Sequence, residues 1–214
     1  MKNDSKTAFI ILGTGPEARI AVDIANELDV LVFGYLTTVP EQKTQEINDI
    51  LVVAELGSKD ANTLLEDENL RVMIAEKEIA KRRDLVGAFA ERKNELITLT
   101  SPSTEISVFA KVGRGNLIGP GTVIQANVLL GSFNLLGNRV SIEPDVEIAD
   151  YCNLQSGALI GQGALIEEGV TVGMGAIVYP GVRLGKNAVV GAGSVVLQDV
   201  PEGTQVFGNP AKAL

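Results

Sequence analysis

The sequence predicts an α/β domain over residues 1–100 and an all-β stacked coil over residues 101–214. Three observations carry this expectation. Strand-like and helix-like runs alternate in the first half, and an aliphatic residue recurs at every sixth position in the second. Glycine is also frequent, at 23 residues, while aromatics make up 4% and tryptophan is absent, which suits a core of stacked small aliphatics.

In the first half, "AFIILGTG" is a continuous β-rich run closed by glycines and reads as a buried strand. "PEARIAVDIANEL" follows, with proline at a helix start and apolar residues at helical spacing. "DVLVFGYL" predicts a second strand, "ANTLLEDENL" a second helix, "RVMIAE" a third strand and "KRRDLVGAFAERK" a third helix. This order gives a compact Rossmann-like unit with a parallel sheet. "NELITL" adds a final strand and "TSPSTEIS" reads as the linker.

Beyond it, aliphatic residues fall every sixth position from Ile106 through Ile142 and Leu154 to Val196. Small or β-branched residues such as Val128, Ala158 and Ala188 come four residues after many of them. A helix needs apolar spacings of about three and four and a lone strand needs two, so neither gives a strict six. A triangular prism does: each hexad makes a short strand and a turn, and three hexads close one coil. Coils then stack about 4.8 Å apart with like residues above one another. The pattern is a hexapeptide parallel β-helix, left-handed in its known examples, and such prisms usually assemble as homotrimers.

Composition excludes several function classes. A net charge of −9 and a pI near 4.6 argue against nucleic acid and anionic membrane as partners. There is no histidine, so a zinc site built on imidazoles is ruled out and no metal is expected. Cys152 is the single cysteine, which excludes an intramolecular disulfide, points to a reducing compartment and reads as a buried core residue. The run in "MKNDSKTAFIILGTG" is too short for a signal peptide or a membrane span, so a cytoplasmic protein is expected.

Two motifs carry chemistry. "GTGPEA", with Gly13, Gly15 and Glu17, is a G-x-G-x-x-A turn between strand and helix, where backbone N–H groups can hold a phosphate. A dinucleotide would want an acid at the end of the second strand, and Thr37 and Thr38 stand there, so NAD and FAD are disfavoured. In the tail "VPEGTQVFGNPAKAL", Gly208 and Pro210 fix a rigid path and Lys212 offers a cation to phosphates. The same tail would serve as a cap on the last coil.

On "IILGTGPEARIAVDIA", the hexad array and "GNPAK", the chain resembles the bacterial nucleotide-amino-sugar acetyltransferases and their sialic acid O-acetyltransferase relatives. The resemblance implies acetyl-CoA as co-substrate, a nucleotide-linked amino sugar as acceptor, and trimers with sites between subunits. It places the coenzyme beside Gly173, Met174, Gly175, Gly191, Ala192, Gly193, Pro210 and Lys212, and the nucleotide sugar beside Gly13, Gly15, Glu17, Thr37 and Thr38. Such enzymes usually carry a histidine base followed by an orienting acid, and a second histidine near the thioester. Those positions hold Pro144, Asp145 and Asn153. Proline cannot act as a base.

Three readings stay open at this stage. The protein is an N-acetyltransferase in which a partly neutral amine attacks with weak help from Glu143 or Asp145. Or it is a silent paralogue that binds nucleotide sugar or coenzyme A as a scaffold. Or it uses another donor or acceptor with those carboxylates as base. On a solenoid corner, both acids also fit as plain solvated turn residues.

Overall fold

The computed structural model describes residues 8–213. The chain divides into two compact units at Leu99/Thr100. The first seven residues, with the start of the N-terminal run, lie outside the described part.

The first unit is a five-stranded sheet with helices. β1 (Phe9–Leu12) leads through Gly13–Gly15 into α1 (Pro16–Glu27), and β2 (Val32–Thr37) follows. A hairpin of β3 (Glu46–Ile47) and β4 (Ile50–Glu55) comes next, then α2 (Lys59–Leu64), β5 (Arg71–Ile74) and α3 (Ile79–Ala88). The sheet order is β3-β4-β2-β1-β5, parallel except for β3 at the edge. Ile10, Leu12, Leu36, Val72 and Ile74 pack with Leu85 and Phe89 into one core, while α1 buries Ala18, Ala21, Val22, Ile24 and Ala25.

Several local expectations shift. The hairpin is new: Asn48 and Asp49 both have positive φ, 51° and 59°, the requirement of a two-residue turn that matches strand twist. It supplies β4, the strand next to β2, where the sequence reading assigns no element. α2 starts earlier, because the Ser58 hydroxyl caps the Ala61 N–H at 3.2 Å. It stops before the Asp67 carboxylate accepts the Asn69 N–H at 3.0 Å in a competing turn. "NELITL" gives only a bridge from Leu96 to Val72. Its last residue opens the short strand Leu99–Thr100, which belongs to the prism's third face and not to this sheet. "TSPSTEIS" is no linker, since it contains the prism's strand Glu105–Ile106.

The second unit is the expected prism. Its first face stacks the strands from Glu105–Ile106 to Val195–Val196, and its second those from Lys111–Val112 to Arg183–Leu184. Its third face stacks Leu117–Ile118 to Val189–Val190, then Gln205–Phe207 and, antiparallel, Lys212–Ala213. Partners such as Ile124 and Ile142, or Leu136 and Leu154, are three hexads apart. The inward aliphatics from Ile118 to Val196 are all buried, each contributing roughly 1.5–3 kcal/mol. The two exceptions are on the first coil: Ile106 is 39% exposed and Val112 is half-buried.

Each corner has one backbone recipe. Counting the inward aliphatic as first, the fourth residue is left-handed, with φ from 55° to 74° between Gly115 and Gly193. From Phe133 onward its N–H bonds the carbonyl of the third residue one coil back, as Gly163 does to Pro144 at 3.0 Å and Gly193 to Met174 at 2.8 Å. The third residue's own N–H takes no part in this backbone ladder. Among the described residues, no helix is long and apolar enough to cross a membrane.

Candidate active site

The corner joining the third face to the first collects most of the coenzyme-side candidates. Gly173 and Gly191 are second residues of stacked hexads, buried under the next layer. A Cβ on Gly173 would lie 2.5 Å from the backbone nitrogen of Ala192, so only glycine lets these coils close. Gly175 and Gly193 are the left-handed residues, and nothing stands within 4 Å of where their Cβ atoms would be. Met174 and Ala192 between them are exposed, and no group among the described residues accepts their N–H donors. The corner thus presents a smooth glycine floor with amide donors, which suits an extended amide-bearing ligand.

The tail folds onto the same corner. The Gly208 N–H donates to Ser194 Oγ at 3.1 Å, and the Val195 N–H donates to the Gly208 carbonyl at 3.0 Å. After the cis Asn209–Pro210 bond, the Ala211 N–H returns to the Val195 carbonyl at 2.8 Å. Pro210 and Lys212 are exposed beside it, and Lys212 has no ion pair among the described residues. Asn153 sits at the start of a third-face strand, paired with Leu135 and Thr171, and is 6% exposed.

The two carboxylates are elsewhere. Glu143, Pro144 and Asp145 form the corner between first and second faces, so a whole face separates them from Gly173 within one chain. Glu143 Oε1 accepts from Gln125 Nε2 at 3.1 Å. Asp145 is left-handed, φ 61°, and accepts from Asn127 Nδ2 at 3.0 Å and Gln162 Nε2 at 3.4 Å. Pro144 occupies the same third-residue slot as Pro120 and Pro180, each followed by a positive-φ residue, the geometry of a type II turn.

In the first unit, the C-terminal ends of β1 and β2 gather the nucleotide-side candidates. Gly13 has φ 118°, and a Cβ there would meet the Ala75 carbonyl at 2.7 Å. Gly15 precedes α1 without a side-chain cap, and Glu17 lies in the first turn, where its carboxylate already complements the helix end. Thr37 is buried and donates to Gln42 Oε1 at 2.7 Å, as Thr14 does at the same distance, while Thr38 is exposed. Gln42, on a 3-10 turn over Pro40–Gln42, carries no sequence signal as a site residue, because its partner Thr14 lies 28 residues away. Arg82 is buried and donates to the Glu76 carbonyl at 2.7 Å.

The corner between second and third faces is structural. Asn134 Oδ1 accepts the Cys152 N–H at 2.7 Å, and the Cys152 thiol is fully buried, as expected. Phe133 stacks on Tyr151 with centroids 5.4 Å apart, and the Arg114 guanidinium lies 5.6 Å from the Phe133 ring. Glu167 accepts from Arg183 Nε at 2.7 Å and from the Lys186 N–H at 2.8 Å, and these bonds hold its carboxyl below the usual range.

The bacterial transferase hexapeptide (six repeats) pattern matches residues 163–198, which include Gly173–Gly175 and Gly191–Gly193. Solved structures match across both units. The acetyltransferase domain of PglB from Neisseria gonorrhoeae FA1090 is 23% identical with a TM-score of 0.87, covering 97% of this chain and 100% of that one. PerB from Caulobacter crescentus, in complex with CoA and GDP-perosamine, is 23% identical with a TM-score of 0.79, covering 97% of each chain. A histidine-to-asparagine mutant of that organism's perosamine N-acetyltransferase, also with CoA and GDP-perosamine, is 24% identical with a TM-score of 0.72, covering 97% and 96%. No curated protein sequence matches the chain significantly. These likenesses establish the fold: an α/β sheet domain followed by a hexapeptide β-helix.

Proposed function

We propose that this chain is an acetyl-CoA-dependent N-acyltransferase acting on a nucleotide-linked amino sugar in cell-surface polysaccharide synthesis. The observation that carries the reading is the third-face corner, where stacked glycines, the N–H donors of Met174 and Ala192, and the returning tail converge. A pantetheine arm needs such a floor, and Lys212 supplies a cation for the coenzyme phosphates. PerB, which shares the fold, holds CoA and GDP-perosamine together. A histidine mutant of the perosamine enzyme is also found with both, so ligand binding on this fold does not depend on that histidine.

In the reaction the sugar amine attacks the thioester carbonyl, a C–N bond forms and the C–S bond breaks. The ammonium proton leaves to solvent or to Glu143 or Asp145, and the sulfur departs as thiolate. A partly neutral amine held against the thioester gains most of its rate from positioning, so no histidine base is required. An unactivated hydroxyl would need a base far more, which disfavours O-acetyl transfer.

A homotrimer would complete the site. The outer residues of the first face include Leu159 and Ile177, each more than a third exposed, flanked by exposed Met174 and Tyr179. Covering that face with a second copy would bring the Glu143 corner of one chain toward the Gly173 corner of another.

The second reading, a silent binder of coenzyme A or nucleotide sugar, is favoured by one observation. Both carboxylates are already engaged by side-chain amides beside a turn-forming proline. Thiol release from acetyl-CoA with UDP-, GDP- and dTDP-linked amino sugars separates the two. Release with any of them supports the transferase. Coenzyme binding without release supports the silent binder, and absence of both overturns the whole reading.

A further inference from the structure

Arg139 is the one charged side chain in a column of left-handed corner residues that otherwise runs Gly121, Gly157, Gly175 and Gly193. It is exposed, and its guanidinium makes no hydrogen bond or ion pair with any described residue, although the chain carries 27 acids against 18 bases. Its Cγ would lie 3.4 Å from a Cβ placed on Gly121, so the absence of a side chain there leaves the arginine room.

Around it the corner opens into a groove of about 730 Å³ whose polar lining is Ser103, Asn138, Arg139 and Ser156. No carboxylate lines this groove. Ser156 Oγ accepts the Asn138 N–H at 3.2 Å, which leaves the hydroxyl proton for a ligand. The Asn138 amide is exposed at the rim. A guanidinium fork, a hydroxyl and a side-chain amide converging without a competing acid are matched by an oxyanion, which takes paired N–H donors in its own plane.

We propose that this groove is an oxyanion site, and that Arg139 anchors an acidic group of the acceptor. Gly175 lies two coils further along the same corner, so the anchored group would sit about 10 Å from the coenzyme floor. The oxyanion is either the pyrophosphate of a nucleotide or the carboxylate of an acidic sugar. The assignment to an acceptor rests on the transferase reading; the anion site itself does not.

The test is an NMR titration of the full ¹⁵N-labelled chain at constant ionic strength, following arginine Nε–H resonances with sodium pyrophosphate and, separately, sodium glucuronate. The Arg139 resonance, identified by its loss in Arg139→Gln, is expected to shift saturably with one of them. Affinity, followed on backbone amides of the groove, should fall tenfold or more in Arg139→Gln and recover in part in Arg139→Lys, with an unchanged melting temperature. A response to pyrophosphate assigns the anion to a nucleotide, and a response to glucuronate assigns it to an acidic sugar. No saturable shift with either, or equal affinity in Arg139→Gln, overturns the proposal. A saturable shift in a protein that releases no thiol would retain the anion site and discard the transferase.

Discussion

Gln125 donates its side-chain amide to Glu143 across one coil, Nε2 to Oε1 at 3.1 Å, and Asn127 does the same for Asp145 at 3.0 Å. Each carboxylate thus already holds an amide donor, and within one chain both stand a whole face away from the Gly173 corner. General-base catalysis typically supplies 10²–10⁴-fold, and little of that is available here. Glu143→Gln and Asp145→Asn should therefore each lower thiol release less than about tenfold. Pro144→His should raise it by at least about tenfold at neutral pH, with coenzyme affinity unchanged. A large loss in either carboxylate variant would mean that the acids carry the chemistry after all.

Gly173 and Gly193 share a corner but should respond differently to alanine. At Gly173 the new methyl meets backbone of the next coil at 2.5 Å, which cannot move aside, and the loss should approach about 3 kcal/mol. At Gly193 the space is open and only φ 66° is strained, a loss of about 1 kcal/mol. Thermal unfolding of the two variants reads the order directly, and a reversal would contradict the stacking geometry.

Tyr35 is fully buried on β2, and its hydroxyl has no partner among the described residues. Tyr35→Phe should leave stability unchanged or raise it by up to about 1 kcal/mol in urea unfolding. Burial, with a smaller contribution from Asp23, raises the phenol's pKa above 10.0, against the lowering influence of Arg19. A raised acid pKa means that folding loses stability as pH climbs beyond 10, where only the unfolded phenol ionises. The alkaline limb should accordingly be shallower in Tyr35→Phe.

Glu167 titrates in the opposite sense. Its bond from Arg183 comes first and the Lys186 N–H second, and together they lower its pKa below 4.5. The stability it adds is present above about pH 4.5 and fades as pH drops through the folded value. Glu167→Gln should show a smaller fall in melting temperature between pH 7 and pH 3.5 than the parent, and an equal fall would show that the pair contributes nothing.

The prism was readable because each hexad states its position three times: an aliphatic first, a glycine or small residue in the turn, and a small inward fifth. The sheet domain was less so. The β3–β4 hairpin depends on an Asn48–Asp49 turn that lacks the usual glycine, and the sequence reading assigns no element to the run from Ile50 to Glu55. Gln42 could not be found, since Thr14 lies 28 residues away in sequence. Arg139 could have been: with the second half written in rows of eighteen, it is the only charge in its glycine column. The glycine corner itself was legible chiefly through resemblance, because glycine is the ordinary residue of such turns.

From Arg114 to Met174 the third residue of each corner lends its carbonyl to the stack, and its nitrogen donates to no backbone carbonyl of that stack. Proline at 144 therefore removes no bond that the coils rely on, and a histidine there would add none. The backbone is indifferent to which of them it carries. At this rung a reactive side chain and an inert one can be exchanged without costing the coils a backbone hydrogen bond. The coils therefore carry the fold, and whether the molecule reacts is decided by a side chain the fold does not need.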